Sequence, residues 1–218
     1  MAIWVFCNVK GGSGKTTLAV NVAASLGGKV LLIDADPQQS ALKWVDAAPE
    51  ESPLPLSVMA YPQGKIHREI EKAAAGYDFI LVDTPPSGLA GTSSVRSALL
   101  VADLVVVPVG PSPLDIRETV SMADQIRELS ELRDKDPLVA RLVVNRARAG
   151  TVFSREIREA LEEIQIPICK TVVSEREAHK RAALEGVSVH QIHTPGGRAA
   201  AKDIEKLTEE LKRCQSAA

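Results

Sequence analysis

The sequence predicts an α/β fold, a mostly parallel twisted sheet with helices on both faces, and three observations carry that expectation. Hydrophobic residues make up 45% of the 218 positions but aromatic residues only 3%, so the core is built from Val, Leu, Ile and Ala, as in strands covered on both faces. Short unbroken apolar runs recur at Ile3 to Cys7, Val30 to Ile33, Phe79 to Val82 and Leu104 to Val109, each reading as a buried strand. Helical patterns stand between them. Ile66, Ile70 and Ala73 or Ala74 share one face of a helix over 65–75, and Ile116, Val120, Ala123, Ile126, Leu129 and Leu132 draw one stripe along a helix over 115–133. The length suits one domain over 1–218, and no composition shift marks a second.

The first run leads into Asn8-Val9-Lys10-Gly11-Gly12-Ser13-Gly14-Lys15-Thr16-Thr17, and Leu18 to Ala24 then opens a helix. Strand, glycine loop and helix in that order bind a polyphosphate. Gly11, Gly12 and Gly14 let backbone N–H groups turn inward without side-chain clashes, and the helix start adds unpaired amides of its own. In such a P-loop the backbone from Gly11 to Thr17 cradles the nucleotide, Lys15 reaches the β and γ phosphates, and the Thr16 hydroxyl takes one position on Mg2+. ATP and Mg2+ are therefore the expected cofactors, in a three-layer P-loop NTPase fold. The standard spacing places a glycine where this chain has Val9.

Two further strands end in acids. Val30 to Ile33 runs into Asp34-Ala35-Asp36-Pro37-Gln38, and Phe79 to Val82 into Asp83-Thr84-Pro85-Pro86-Ser87-Gly88. The carboxyl ends of strands are where open α/β sheets hold ligands. Asp83 there can hold a magnesium-bound water, and the proline-glycine loop after it can respond to a γ-phosphate. The remaining chain alternates. Ser40 to Ala48 suggests a short helix with Trp44, Leu56 to Tyr61 a short strand, Thr92 to Ala102 a helix, and Asp115 an N-cap. Val139 to Val144 forms a strand ending at Asn145-Arg146, followed by a helix over Ser154 to Ile164. Pro167 to Val173 reads as a connection with a short strand. Ser174 with Glu177 fits a capping box for a helix to Leu184. Pro195-Gly196-Gly197 punctuates the way to a last helix over Ala199 to Arg213.

The form Lys-Gly-Gly-x-Gly-Lys-Thr-Thr, with Lys10 at its front, resembles the deviant Walker A box of the ParA and MinD family of ATPases. Asp34-Ala-Asp36-Pro-Gln and the Walker B-like Phe79 to Pro85 follow in the same order, and Pro108 to Asp115 is similar to the matching stretch of small plasmid-partition ATPases. The likeness is greatest to small ParA-type partition or cargo-positioning proteins lacking an N-terminal DNA-binding domain. That resemblance implies that Lys10 reaches across a dimer to the partner's nucleotide, that Asp36 orients the attacking water, and that Asp34 lies near magnesium through its waters. Lys10, Lys15 and Asp36 are then the catalytic set, Thr16, Asp34 and Asp83 the metal set, and Asn145 the adenine reader. It further implies a homodimer when ATP is bound, non-specific DNA binding, and slow hydrolysis stimulated by a ParB-like or cargo-adaptor protein. Such a switch segregates or positions plasmid, chromosome or protein cargo in the cytoplasm, associated with the nucleoid.

Charge bounds the partners. The formal net charge is -2, so a nucleic-acid surface must be a local patch. Arg141, Arg146, Arg148, Arg155 and Arg158 stand against Glu156 and Glu159. The family's DNA contacts are to phosphates, and Arg155, Arg158, Arg176, Lys180, Arg181 and Lys202 are the candidates; a solvated helix face is the other reading of these charges. The last helix balances four acids with four bases, where a membrane-surface helix is basic and bulkier, and no apolar run approaches a membrane span; no membrane partner is expected. Cys7, Cys169 and Cys214 are dispersed, as suits reduced thiols in a cytoplasm, and they speak against an iron-sulphur relative of the nitrogenase iron protein. A MinD-like positioning ATPase and a dethiobiotin-synthetase-like ligase acting on a small carboxylate are the alternatives, the latter without a substrate motif. A nucleotide-dependent filament is compatible with the main reading.

Overall fold

A computed structural model describes residues 1–87, 93–133, 138–148 and 155–216, the side chains of 155–158 excepted. In chain order the elements are β1 (Ala2–Phe6), α1 (Lys15–Leu26), β2 (Val30–Asp34), α2 (Ser40–Asp46), β3 (Ser57–Ala60), α3 (Ile66–Ala73) and β4 (Phe79–Asp83). After these come α4 (Ser93–Val101), β5 (Leu104–Val109), α5 (Pro113–Glu131), β6 (Val139–Ala147), α6 (Arg155–Glu162), β7 (Val173–Ser174), α7 (Glu177–Glu185) and α8 (Pro195–Ser216). Seven strands form one sheet in the order β3-β2-β4-β1-β5-β6-β7, and the paired strands are parallel throughout. The expected α/β class and parallel sheet are what the structure shows. Gly88 of the Thr84 to Gly88 loop, Thr92 and Ser154 lie outside the described residues.

Side chains alternate across a strand, and β1 splits the core in two by that rule. Trp4 and Phe6 join Leu18, Val22, Leu32, Leu81, Ile204, Leu207 and Leu211 on the α1 and α8 side. Ile3 and Val5 join Ile33, Ile70, Val82, Leu99, Met122 and Ile126 on the α3, α4 and α5 side. Burial of Ile204, Leu207 and Leu211 puts the apolar stripe of α8 inside the core, where it is unavailable to a lipid surface. No described helix is long and apolar enough to cross a membrane.

The register places the site. Phe6 pairs with Asp83, and Asp34 with Asp83, so β1, β2 and β4 end level and deliver the glycine loop and both acids to one edge. Three local expectations are corrected. Ser112, not Asp115, caps α5: its hydroxyl accepts from the Asp115 N–H at 3.2 Å and Pro113 opens the helix, the position where a missing N–H costs nothing. On α5 the buried stripe runs through Thr119 and Met122, while Val120 is 41% and Leu132 60% exposed. Thr119 tolerates burial because its hydroxyl donates to the Asp115 carbonyl at 2.8 Å, and Leu132 lies past the last helical residue. Ser174 belongs to β7, pairing with Ala147, so it cannot cap α7, which begins at Glu177 behind Arg176.

Pro195-Gly196-Gly197 is the first turn of α8 and not a break before it. Thr194 accepts from the Gly197 N–H at 3.0 Å, and a Cβ on Gly197 would sit 1.9 Å from the Ile192 carbonyl oxygen, whereas one on Gly196 meets nothing nearer than 4.0 Å. Gly197→Ala is therefore expected to lower unfolding free energy by about 1–3 kcal/mol, and Gly196→Ala to raise it by about 0.5–1 kcal/mol. Urea denaturation of the two variants checks the pair; equal effects would contradict the packing described.

Candidate functional site

The loop is fastened before it turns. Asn8, buried behind β1, donates from Nδ2 to the Pro108 carbonyl at 2.7 Å and to Thr119 Oγ1 at 3.3 Å, and its Oδ1 accepts from the Lys10 N–H at 3.2 Å. Gly12 and Gly14 then take φ of +75° and +92°, a region costly to any residue with a Cβ. Pro86, after β4, lies against Gly11.

Lys15 opens α1 buried, its Nζ donating to the Lys10 carbonyl at 3.1 Å. Burial pulls its ammonium below the ordinary lysine value, against the attraction of Asp83. A buried cation whose hydrogen-bond partner is a neutral carbonyl favours an anion beside it. Next to it the Thr16 hydroxyl donates to Asp83 Oδ2 at 2.6 Å. Asp83 is fully buried, and burial pushes its carboxyl up to about 7, with Asp34 adding and Thr16 and Lys15 opposing. Asp83 Oδ1 and Ser13 Oγ are buried with no hydrogen-bond partner among the described residues. An unpartnered carboxylate oxygen beside a threonine hydroxyl at a phosphate loop fits a magnesium ion.

Asp34, the last residue of β2, and Asp36 beyond it have different roles. Asp34 is fully buried, with Oδ1 accepting from the Asp36 N–H at 3.1 Å and Oδ2 from the Ala41 and Leu42 N–H groups at 2.8 and 3.0 Å. Burial raises its carboxyl, against those three amides. Asp34 thus anchors the first, otherwise unpaired amides of α2. Asp36 is half-buried, holds the Gln38 N–H at 2.9 Å and lines the cavity.

That cavity, about 690 Å3, is lined by Gly11, Gly12, Gly14, Lys15, Thr16, Thr17 and Asp36 on one side and by Trp44, Asn145, Glu175, Arg176 and His179 on the other. A second cavity of about 690 Å3 lies across the loop, lined by Lys10, Ser112, Asp115, Arg148 and Val172. Lys10 is drawn to this second side, ion-paired to Asp115 and at 3.8 Å to Glu118. The hydrogen bond to Asp115 raises the Lys10 ammonium above its ordinary value. Ser112 Oγ steadies the acid at 2.7 Å, and Gly110 leaves room for it.

Of the predicted residues, Gly11 to Thr17, Asp36, Asp83 and Asn145 converge at this edge, with Asp34 just behind. Asn145 Nδ2 donates to the Ser13 carbonyl at 2.8 Å. Three of the basic candidates carry ion pairs. Arg176 pairs with Asp203 at 3.1 Å and lines the first cavity, as does Lys180, itself paired with Glu177 at 3.1 Å. Arg181 pairs with Glu185 at 2.6 Å. Lys202 is exposed; Arg155 and Arg158 have side chains outside the description. Asn8, Arg146 and Glu175 also brace the loop, roles that nothing local in the sequence marks. Among the described residues no group of His, Cys, Asp or Glu could hold a metal by itself, and Cys7, Cys169 and Cys214 are free thiols.

Residues 4–189 match the family model of CbiA, the CobQ/CobB/MinD/ParA nucleotide binding domain. The chain belongs to this family. It is 33% identical over 207 residues to a maintenance of carboxysome distribution protein A from Halothiobacillus neapolitanus, covering 94% of this chain and 93% of the relative. A protein of the same description from Gloeobacter kilaueensis is 34% identical over 212 residues, covering 94% and 92%. An ATP complex of a substituted McdA from Cyanothece superposes with a TM-score of 0.77 at 20% identity, over 97% of this chain and 96% of that one, a likeness of fold.

The buried acid of this family site makes a stability prediction. Because the folded Asp83 carboxyl titrates near 7 and an ordinary one near 3.8, folding holds its proton more tightly. Stability therefore rises as pH falls from 7 toward 4 and is lost as pH climbs through 7. Without nucleotide or magnesium at pH 8, Asp83→Asn is expected to be more stable than wild type by about 1–3 kcal/mol, a gap that shrinks at pH 5. Urea titrations at both pH values measure it; a variant less stable at pH 8 would contradict the assignment.

Proposed function

We propose that the chain is an ATP-dependent dimerising switch that binds DNA non-specifically in the cytoplasm and positions a large cargo over the nucleoid. The observation that carries this reading is the second loop lysine. Lys15 already fills the phosphate position, whereas Lys10 stands on the outer side of the loop, held by acids of α5, where a second copy can receive it. Protein cargo is favoured over plasmid because the two relatives above, matched over nearly their full length, are named for carboxysome distribution.

In this mechanism Lys15 and the loop amides bind the β and γ phosphates, and Lys10 of the second copy adds a cation as charge develops on the transferring group. Thr16 and Asp83 would hold magnesium, which neutralises phosphate charge. Asp36 orients water. Asp34 contributes indirectly, by fixing the turn that carries Asp36. Hydrolysis is slow until a cargo adaptor stimulates it, so the dimer persists as a timer. Dimerisation doubles a DNA surface for which Arg155, Arg158, Arg176, Lys180, Arg181 and Lys202 are the candidates, and makes DNA affinity report the bound nucleotide.

Lys10→Ala is expected to bind ATP normally yet to lose the difference in DNA affinity between ATP and ADP. Asp115→Asn, which releases Lys10, is expected to lower several-fold the ATP concentration giving half-maximal DNA binding. Fluorescence anisotropy on a random duplex at fixed salt reads both; an unaltered ATP dependence in the two variants would refute the role of Lys10. Asp36→Ala should keep ATP-dependent DNA binding and reduce hydrolysis by about 100-fold or more, measured as phosphate release; full turnover would remove Asp36 from the mechanism.

A further inference from the structure

In a regular strand Asn145 and Arg146 would point to opposite faces of the sheet. Here they do not. The β6–β7 ladder slips at Asn145 to Ala147, and Arg146 takes φ of +59°, the combination by which a bulge re-aims a side chain. Both side chains then meet the glycine loop at successive carbonyls: Asn145 Nδ2 donates to Ser13 O, and Arg146 Nη1 donates to Gly12 O, each at 2.8 Å. Glu175 holds the other arm of the arginine at 3.5 Å and is itself fixed by its N–H on the Ala147 carbonyl at 2.8 Å.

A trans peptide is planar, with its N–H opposed to its C=O, and the described chain has no cis bond. The Gly12 carbonyl shares a plane with the Ser13 N–H, and the Ser13 carbonyl with the Gly14 N–H. Drawing both carbonyls toward the end of β6 therefore turns both amides the other way. Neither amide has an acceptor among the described residues. A pair of aligned, unpartnered N–H groups beside a buried lysine is an anion nest.

We propose that Asn145 and Arg146 are positioning residues for phosphate, acting through the loop: they hold the Ser13 and Gly14 amides in the direction that receives the polyphosphate. This rests on the reading of the loop as a phosphate site, and it moves Asn145 from the base of the nucleotide to its phosphates. The positive φ of Arg146 is the local strain that delivers the second clamp.

Inorganic tripolyphosphate, which has no base, tests it. Calorimetry with magnesium on the full chain should show Asn145→Ala weakening ATP and tripolyphosphate by the same factor, about tenfold for one lost hydrogen bond. Arg146→Ala should act likewise, and Arg146→Lys, which keeps a donor for Gly12 O, should recover part of the loss for both ligands. Arg146 is an exposed side chain, so its variants report on the loop without disturbing the core. Tripolyphosphate binding unchanged in both alanine variants, with or without a loss for ATP, would overturn the proposal. If wild type binds neither ligand, the phosphate-site reading itself fails and the proposal with it.

Discussion

The hydrogen bond from the Thr16 hydroxyl to Asp83 is the contact on which the site depends. It ties the first turn of α1 to the last residue of β4, and it exists because parallel pairing brings β1, β2 and β4 to the same edge. Around it the protein buries Lys15, Asp34 and Asp83 with few neutralising partners inside the fold. Such burial is costly, and only Asp34 is fully answered by backbone amides. Lys15 and Asp83 attract each other but remain under-satisfied: Lys15 donates only to a neutral carbonyl, and Asp83 Oδ1 has no hydrogen-bond partner among the described residues. The phosphates of a nucleotide beside Lys15 would offset part of that cost, so that what folding leaves unanswered favours the ligand.

The loop has two faces with different chemistry. Its inner face, with Lys15, Thr16 and the Ser13 and Gly14 amides, addresses phosphate. On the outer face Lys10 is neutralised by Asp115 and Glu118. These outer pairs are partly exposed, and pairs of that kind contribute little to stability. They can therefore exchange partners at low cost, which suits a surface where a second copy docks and leaves.

Much of this was legible in the sequence because it is local. Glycines beside Lys15 and Thr16, and acids closing apolar runs at Asp34 and Asp83, declare both strand ends and ligand edge. Family likeness added Lys10 and Asp36. What the sequence left open depends on tertiary context. The α5 cap is not of that kind: Pro113, which suits the first helical position, already favours Ser112 over Asp115 in the sequence. Pro195-Gly196-Gly197 carries the residues of a turn, yet proline also suits a first helical position, and Ile192 demands a residue without a side chain at Gly197. A bulge in β6 has no signature in Asn145-Arg146-Ala147, so the clamp on the loop appears only once β7 is in place. Among the basic residues, the long-range pair of Arg176 with Asp203 needs the fold, whereas the pairs of Lys180 with Glu177 and Arg181 with Glu185 lie within one helix and are local.

We propose that nucleotide state sets assembly through the loop's outer face. This is tested most directly by the molar mass of the wild-type chain in solution, by light scattering with magnesium and either ADP or ATP at the same protein concentration. A chain of 23.3 kDa is predicted to run as a monomer with ADP and to double its mass with ATP. A mass that is the same with both nucleotides would contradict the account.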